Sequence, residues 1–262
     1  MRKILFAFVA LALVTAGCSK SSTSKPSITV GNVPSTIQGN VLTIPVTVKG
    51  ITIVKPNGDT SGKTGHFHIF IDKLPVKPGV VIPHAHNIVH TADDPIKIYG
   101  LTPGMHKLHI VIGDGAHIRI APSARAVVKV KVDGPSVQGL APATILKGQA
   151  LTVELRAEGV KIVAPGTETG TDEGHFHVLV DPATPPKAGE SVDNMTSAPE
   201  ASPMSSPEVS PMASAMTFMT GGTSQTITGL TPGEHVIWVV LAGKDHKAWN
   251  PPVMDRLTVT VG

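Results

Sequence analysis

Histidine is out of proportion in this chain: twelve are present beside a single tyrosine and a single cysteine in 262 residues. Their spacing also repeats. Gly65-His66-Phe67-His68 leads into an apolar run ending at Asp72, and Gly174-His175-Phe176-His177 does the same as far as Asp181. Gly100-Leu101-Thr102-Pro103-Gly104-Met105-His106 returns as Gly229-Leu230-Thr231-Pro232-Gly233-Glu234-His235, and a further histidine follows each, His117 and His246. Residues two apart on a strand share a face about 6.6–7 Å apart, so each His-x-His pair presents neighbouring rings. Nitrogen-rich sets of this kind suit copper and zinc. The expected ligands are His66, His68, His106 and His117 in the first copy, and His175, His177, His235 and His246 in the second.

A second group of candidates occurs between the two signatures. The first copy carries His84, His86 and His90 there, as His-x-His-x-x-x-His; the second copy places Met219 at the position of His90 and Met216 at that of Asn87. Thioethers favour Cu(I), whereas imidazole serves zinc and both copper states. The competing account is structural, because a neutral imidazole with one donor and one acceptor can tie a strand end to a loop. Asp72, Asp93, Asp94, Asp114, Asp181 and Asp245 could orient ligating histidines, or could simply cap turns.

The elements that must position these residues read as strands. Val41 to Val48 alternates as Ala150 to Ala157 does, and His106 to Ile112, Ala126 to Val132, His235 to Leu241 and Leu257 to Val261 are rich in β-branched residues between turn formers. The expected fold is all-β, as two tandem immunoglobulin-like β-sandwich domains over residues 28–134 and 135–262. Pro45 inside a strand pattern predicts an edge or a bulge. The second copy carries a Pro-, Ser- and Ala-dominated insertion at about 182–219, with Met195, Met204 and Met212 as well as Met216 and Met219, which is expected to be a disordered loop.

Residues 1–17 have the form of a signal peptide. A basic start at Arg2 and Lys3 precedes an apolar run from Ile4 to Val14 and the small residues Thr15-Ala16-Gly17 before Cys18. That run falls well short of the roughly twenty residues needed to span a bilayer. The segment resembles the leaders of bacterial lipoproteins. The resemblance implies a lipid on Cys18, with residues 18–27 as a flexible tether and an exported chain on the outer face of the cytoplasmic membrane or on the outer membrane. The expected partners are that membrane and an envelope protein.

The combination of Gly-His-Phe-His, a hydrophobic strand ending in Asp, Leu-Thr-Pro-Gly-x-His and a later Asp-and-His turn resembles a group of bacterial envelope domains of uncharacterised function. The second copy is the closer to it, with Pro251-Pro252-Val253 after its last histidine. The first copy, through Ala92-Asp93-Asp94-Pro95-Ile96 and Gly100 to His106, is similar to a second uncharacterised family of exported proteins. Copper-zinc superoxide dismutases share only the His-x-His strand motif, and the lone cysteine leaves no counterpart to their disulfide. No enzymatic activity is expected. Nor is nucleic-acid binding: net charge is +3, falling to +1 without Arg2 and Lys3, and aromatic residues are 3%.

Overall fold

The computed structural model describes residues 25–193 and 215–262, and every regular element in it is a strand. The signal peptide, Cys18, Met195, Met204 and Met212 lie outside these residues. The first copy comprises β1 (Ser27–Val30), β2 (Thr36–Ile37), β3 (Leu42–Ile44), β4 (Val46–Lys49), β5 (Thr52–Ile53), β6 (Thr64–Ile71), β7 (Ile88–Thr91), β8 (Ile96–Ile98), β9 (Gly104–Gly113) and β10 (Arg125–Val132). The second comprises β11 (Ser136–Leu140), β12 (Thr144–Ile145), β13 (Leu151–Glu158), β14 (Lys161–Ile162), β15 (Glu173–Val180), β16 (Met216–Thr220), β17 (Ser224–Ile227), β18 (Gly233–Ala242) and β19 (Met254–Val261).

The two copies share one topology. The larger sheet runs β2-β10-β9-β6-β5 with β7 added to β6, and its counterpart runs β12-β19-β18-β15-β14 with β16 added to β15. The facing layer is one three-stranded sheet in the second copy, β11-β13-β17, but two separate pairs in the first, β1-β4 and β3-β8. Pro45 explains the difference. It cannot donate a ladder hydrogen bond, so the strand that runs unbroken as β13 is interrupted between β3 and β4, and the Pro45 carbonyl accepts from Gly31 N at 2.8 Å instead.

Alternation places the core between the layers. In the first copy Leu42, Ile44, Ile96 and Ile98 pack against Phe67, Ile69, Leu108, Ile110, Val128 and Val130; Val153, Leu155, Ile227, Phe176, Val178 and Val239 do so in the second. Fully burying one such side chain contributes about 1.5–3 kcal/mol. On β6 and β15, however, almost every residue is buried on both faces. The outer face is covered by the loop that follows each strand. Gly79 N bonds Arg119 O, Arg119 N bonds Val80 O, and Ile82 N bonds His117 O. Gly189 N to Ala248 O, Ala248 N to Glu190 O and Val192 N to His246 O repeat the pattern.

That repetition corrects the expectation of a disordered insertion over 182–219 at its two ends; residues 194–214 lie outside the described residues. Up to Asp193 the chain follows the covering loop of the first copy, anchored by fully buried Val192, and at the far end β16 pairs with β15. Pro and Ser dominate the composition, but the apolar residues at either end bind the sheet.

The copies meet through buried polar contacts. Asn40 has no exposed surface; it donates to Val137 O at 3.0 Å and accepts from Met254 N at 2.7 Å. Tyr99 packs edge-on against Trp238, with ring centroids 4.7 Å apart.

Candidate metal centres

His66 and His68 project from β6 away from the core-facing Phe67 and Ile69, as strand alternation requires, and neither has exposed surface. His90 joins them because it lies directly opposite His68 in the β6-β7 ladder, and cross-strand partners share a face. His117 comes from the turn after β9. It holds a left-handed backbone (φ 61°) in the first copy, and His246 holds the same conformation (φ 54°) in the second. A residue with a Cβ loses about 1–2 kcal/mol in that region, so the histidine side chain is retained at both places against a backbone preference for glycine.

These four rings bring one nitrogen each to within 4.8 Å of one another. The His66 and His68 centroids are 4.3 Å apart, His68 and His90 4.4 Å, and His66 and His117 4.8 Å. His84, more exposed, stacks on His90 at 4.4 Å and lies 4.9 Å from His117. Both ring nitrogens of His66, His68 and His90 are buried without a hydrogen-bond partner. Each neutral imidazole carries an N–H, and an unmade buried hydrogen bond costs about 1–3 kcal/mol. Burial and mutual repulsion keep the rings neutral. His66 is pushed down to about 4 by burial and by His117, against the pull of Asp114. His68 falls to about 2 and His90 to about 3, again through burial first and neighbouring histidines second. Neutral imidazole is the form that ligates metal.

Close packing is specific here. A Cβ at Gly113 would meet His68 Cε1 at 2.4 Å, so this glycine lets the ring lie against the backbone of β9. At the corresponding position opposite His175, the second copy has Ala242.

In the second copy His175, His177 and His246 form the group. His175 Nε2 and His177 Nε2 are 2.9 Å apart, whereas cis nitrogens bound at 2.0–2.1 Å would stand about 2.9 Å apart at right angles and about 3.3 Å apart in a tetrahedron. His175 Nδ1 contacts the buried Glu168 carboxylate. His177 is held down at about 4 by burial and by His175, with Asp193 opposing. Asp193 lies 2.9 Å from His246 Nδ1 and 3.9 Å from His177 Nε2. The sequence reading missed both carboxylates, one seven residues before the first histidine and the other inside the Pro/Ser-rich stretch.

Several expected ligands are placed elsewhere. His106 Nδ1 contacts Asp72 at 2.7 Å and its Nε2 contacts Thr102 O at 2.7 Å. His235 makes the same pair with Asp181 at 2.6 Å and Thr231 O at 2.7 Å. Both nitrogens of these rings face acceptors, so His106 and His235 latch the Leu-Thr-Pro-Gly corner to the strand end and are not ligands. For His235, burial lowers the pKa, but the bonds to Thr231 O and Asp181 outweigh it and the net shift is upward. His86 lines a cleft between the copies with Asp93, Tyr99 and Arg256. Met216 packs against the second core. Met219 does share the histidine face, opposite His177 as His90 is opposite His68, and is 49% exposed.

Residues 44–133 and 153–262 each match the domain of unknown function DUF4399. The chain belongs to the DUF4399 family. One family therefore covers both copies, where the sequence resemblance had divided them between two, and each DUF4399 copy contains one of the histidine groups. No curated protein matches the chain. Among solved structures, a protein of Corynebacterium diphtheriae described as membrane anchored is similar at 14% identity and a TM-score of 0.23, over 90% of this chain and 57% of that one. The Escherichia coli alpha-2-macroglobulin is similar at 12% identity and a TM-score of 0.26, over 90% of this chain and 17% of its own. The chain thus spans just over half of the first and about a sixth of the second.

Proposed function

We propose that this protein binds copper or zinc through two buried histidine clusters, one in each DUF4399 copy, as a lipid-anchored component of the bacterial envelope that stores, delivers or sequesters the ion. The observation that carries this is the set of partnerless buried nitrogens on His66, His68 and His90, beside His117. A cluster of neutral imidazoles is costly to bury unless something accepts its lone pairs. A divalent or monovalent cation does so, and the four nitrogens, all within 4.8 Å of one another, need to close by at most about 1.5 Å to reach tetrahedral spacing. The second cluster, at the same place in the repeat, supports the same reading. Anchoring rests on Cys18 and the leader before it. The reading assigns no catalytic residue.

A non-catalytic structural or protein-interaction module is the second reading. It is favoured by His106 and His235, whose rings are fully used in fixing loops. Elemental analysis decides between the two. Residues 19–262 are dialysed against equimolar Cu(II) and Zn(II), beside a variant with His66, His68, His175 and His177 changed to alanine. Near-stoichiometric metal that disappears from a still-folded variant is the expected result. No metal retained by the parent chain would leave the interaction module as the account.

A further inference from the structure

The two clusters are related by the repeat, yet their surroundings differ in one chemical respect. In the first, every candidate ligand is an imidazole. Asp114 is the nearby carboxylate, and its Oδ1 accepts the backbone N–H groups of Ala116 and Ile118 at 2.9 Å. In the second, two carboxylates touch ring nitrogens. Glu168 contacts His175 Nδ1, and Asp193 Oδ1 stands 2.9 Å from His246 Nδ1. That nitrogen is buried and has no aligned hydrogen bond, Asp193 included. Asp193 lies outside the set of atoms within 4.8 Å of one another, but its Oδ1 comes within 2.9 Å of His246 and 3.9 Å of His177, two of the three rings.

The difference follows from two substitutions within the repeat. The bonds from Ile82 N to His117 O and from Val192 N to His246 O bring Ile82 and Val192 into register. Pro83 therefore stands where Asp193 does, and offers no ligand. Seven residues before the first histidine the first copy has Asp59, one methylene shorter than Glu168, and its carboxylate is taken up by Ser61 and Thr64.

We propose, on the basis of the metal-binding reading above, that the copies hold different ions: His175, His177, His246 and Asp193 form a mixed nitrogen-oxygen site for zinc, whereas His66, His68, His90 and His117 form an all-imidazole site that holds Cu(I). Charge decides this. A divalent ion bound by four neutral imidazoles leaves two uncompensated charges in a buried place, and Cu(I) leaves only one. Asp193 and Glu168 together balance a divalent ion. Carboxylate oxygen is moreover a poor ligand for soft Cu(I). Glu168 acts as a positioning residue. By accepting from Nδ1–H it fixes the tautomer of His175 so that Nε2 turns its lone pair to the ion.

The test uses the full chain in two forms, one with His175 and His177 changed to alanine and one with His66 and His68 changed to alanine. Each is titrated anaerobically with Cu(I) against a chelator, and separately with Zn(II) against a chromophoric chelator. The form retaining the first cluster is expected to hold one Cu(I). The form retaining the second is expected to hold one Zn(II) and to release Cu(I) to the chelator. In that second form Asp193→Asn weakens zinc at least tenfold. Glu168→Gln weakens it about 10–100-fold and shifts the visible spectrum of the cobalt-substituted site, while circular dichroism shows both variants folded. Equal preference of the two forms, or zinc affinity unmoved by Asp193→Asn, overturns the inference and leaves metal binding standing. Failure of both forms, and of the parent chain, to hold either ion overturns the inference and the metal-binding reading together.

Discussion

Each histidine in this chain is defined by what its two nitrogens face. His106 and His235 face a carboxylate and a carbonyl; the nitrogens of His66, His68 and His90 have no hydrogen-bond partner and face other histidine rings, His84 and His117 among them. Removing the first kind should therefore cost stability, and removing the second kind should cost metal. His106→Ala leaves the Thr102 carbonyl and Asp72 Oδ2 without the ring they contact, Oδ1 still accepting from Lys107 N, and is expected to destabilise the protein by about 1–3 kcal/mol in chemical denaturation while metal stoichiometry is unchanged. Gly113→Ala has the opposite profile. The backbone tolerates alanine, as Ala242 in the second copy indicates, but the new methyl group strikes the His68 ring. Metal affinity of the first cluster should fall at least tenfold by competition titration, and that of the second should stay constant.

At the scale of elements, the decisive feature is the covering loop. Without it, His66 and His68 would stand on a solvent-facing sheet. Ile82 holds the loop down by packing with Phe70, Ile88 and Val111 beneath it. Ile82→Ala should cost about 2–5 kcal/mol, and it should speed the loss of metal from the first cluster to an external chelator without altering the second. Equal release rates from the two clusters would show that the loop is not the barrier. The sequence showed the strands through their period-two alternation, and it marked Pro45 as an irregularity through the missing N–H, expected as an edge or a bulge and found as a break between β3 and β4. It did not show that Pro182 to Asp193 would return to the sheet, because Pro, Ser and Gly are scarce in local signals for a long-range ladder, and the anchor comes from buried Val192 and from backbone bonds of Gly189, Glu190 and Val192.

For the whole molecule, the neutral histidines set the response to pH. His66, His68, His90 and His177 all titrate lower in the folded chain than the ordinary value of 6.5. Below pH 6.5 the unfolded chain gains protons that the folded chain does not, so stability falls with pH. His235, raised in the fold, works the other way: its contribution is present in acid and is lost as pH rises through its folded value. His109 and His117 are lowered as well, mainly by burial; with six lowered histidines against one raised, the metal-free protein should lose stability steadily from about pH 6.5 down to about pH 4. Thermal unfolding at a series of pH values checks this. A melting temperature that stays flat or rises over that interval would show that the rings are charged in the fold. Bound metal should flatten the curve until protons displace it.

The amino-acid sequence by itself determined the repeat, the all-β class and the His-x-His pairs, because each is written in local periodicity or in direct recurrence. It also brought forward His117 and His246, which the structure places in the clusters. The tertiary structure decided which other rings accompany them. His90 enters through a strand pairing between residues 22 apart, and Asp193 through loop bonds to the turn at His246. His106 and His235 leave because Asp72 and Asp181, at the far ends of their strands, are brought against them. Spacing along a chain shows which side chains share a strand face; which faces and turns converge on one point depends on long-range pairing and on what the loops bury.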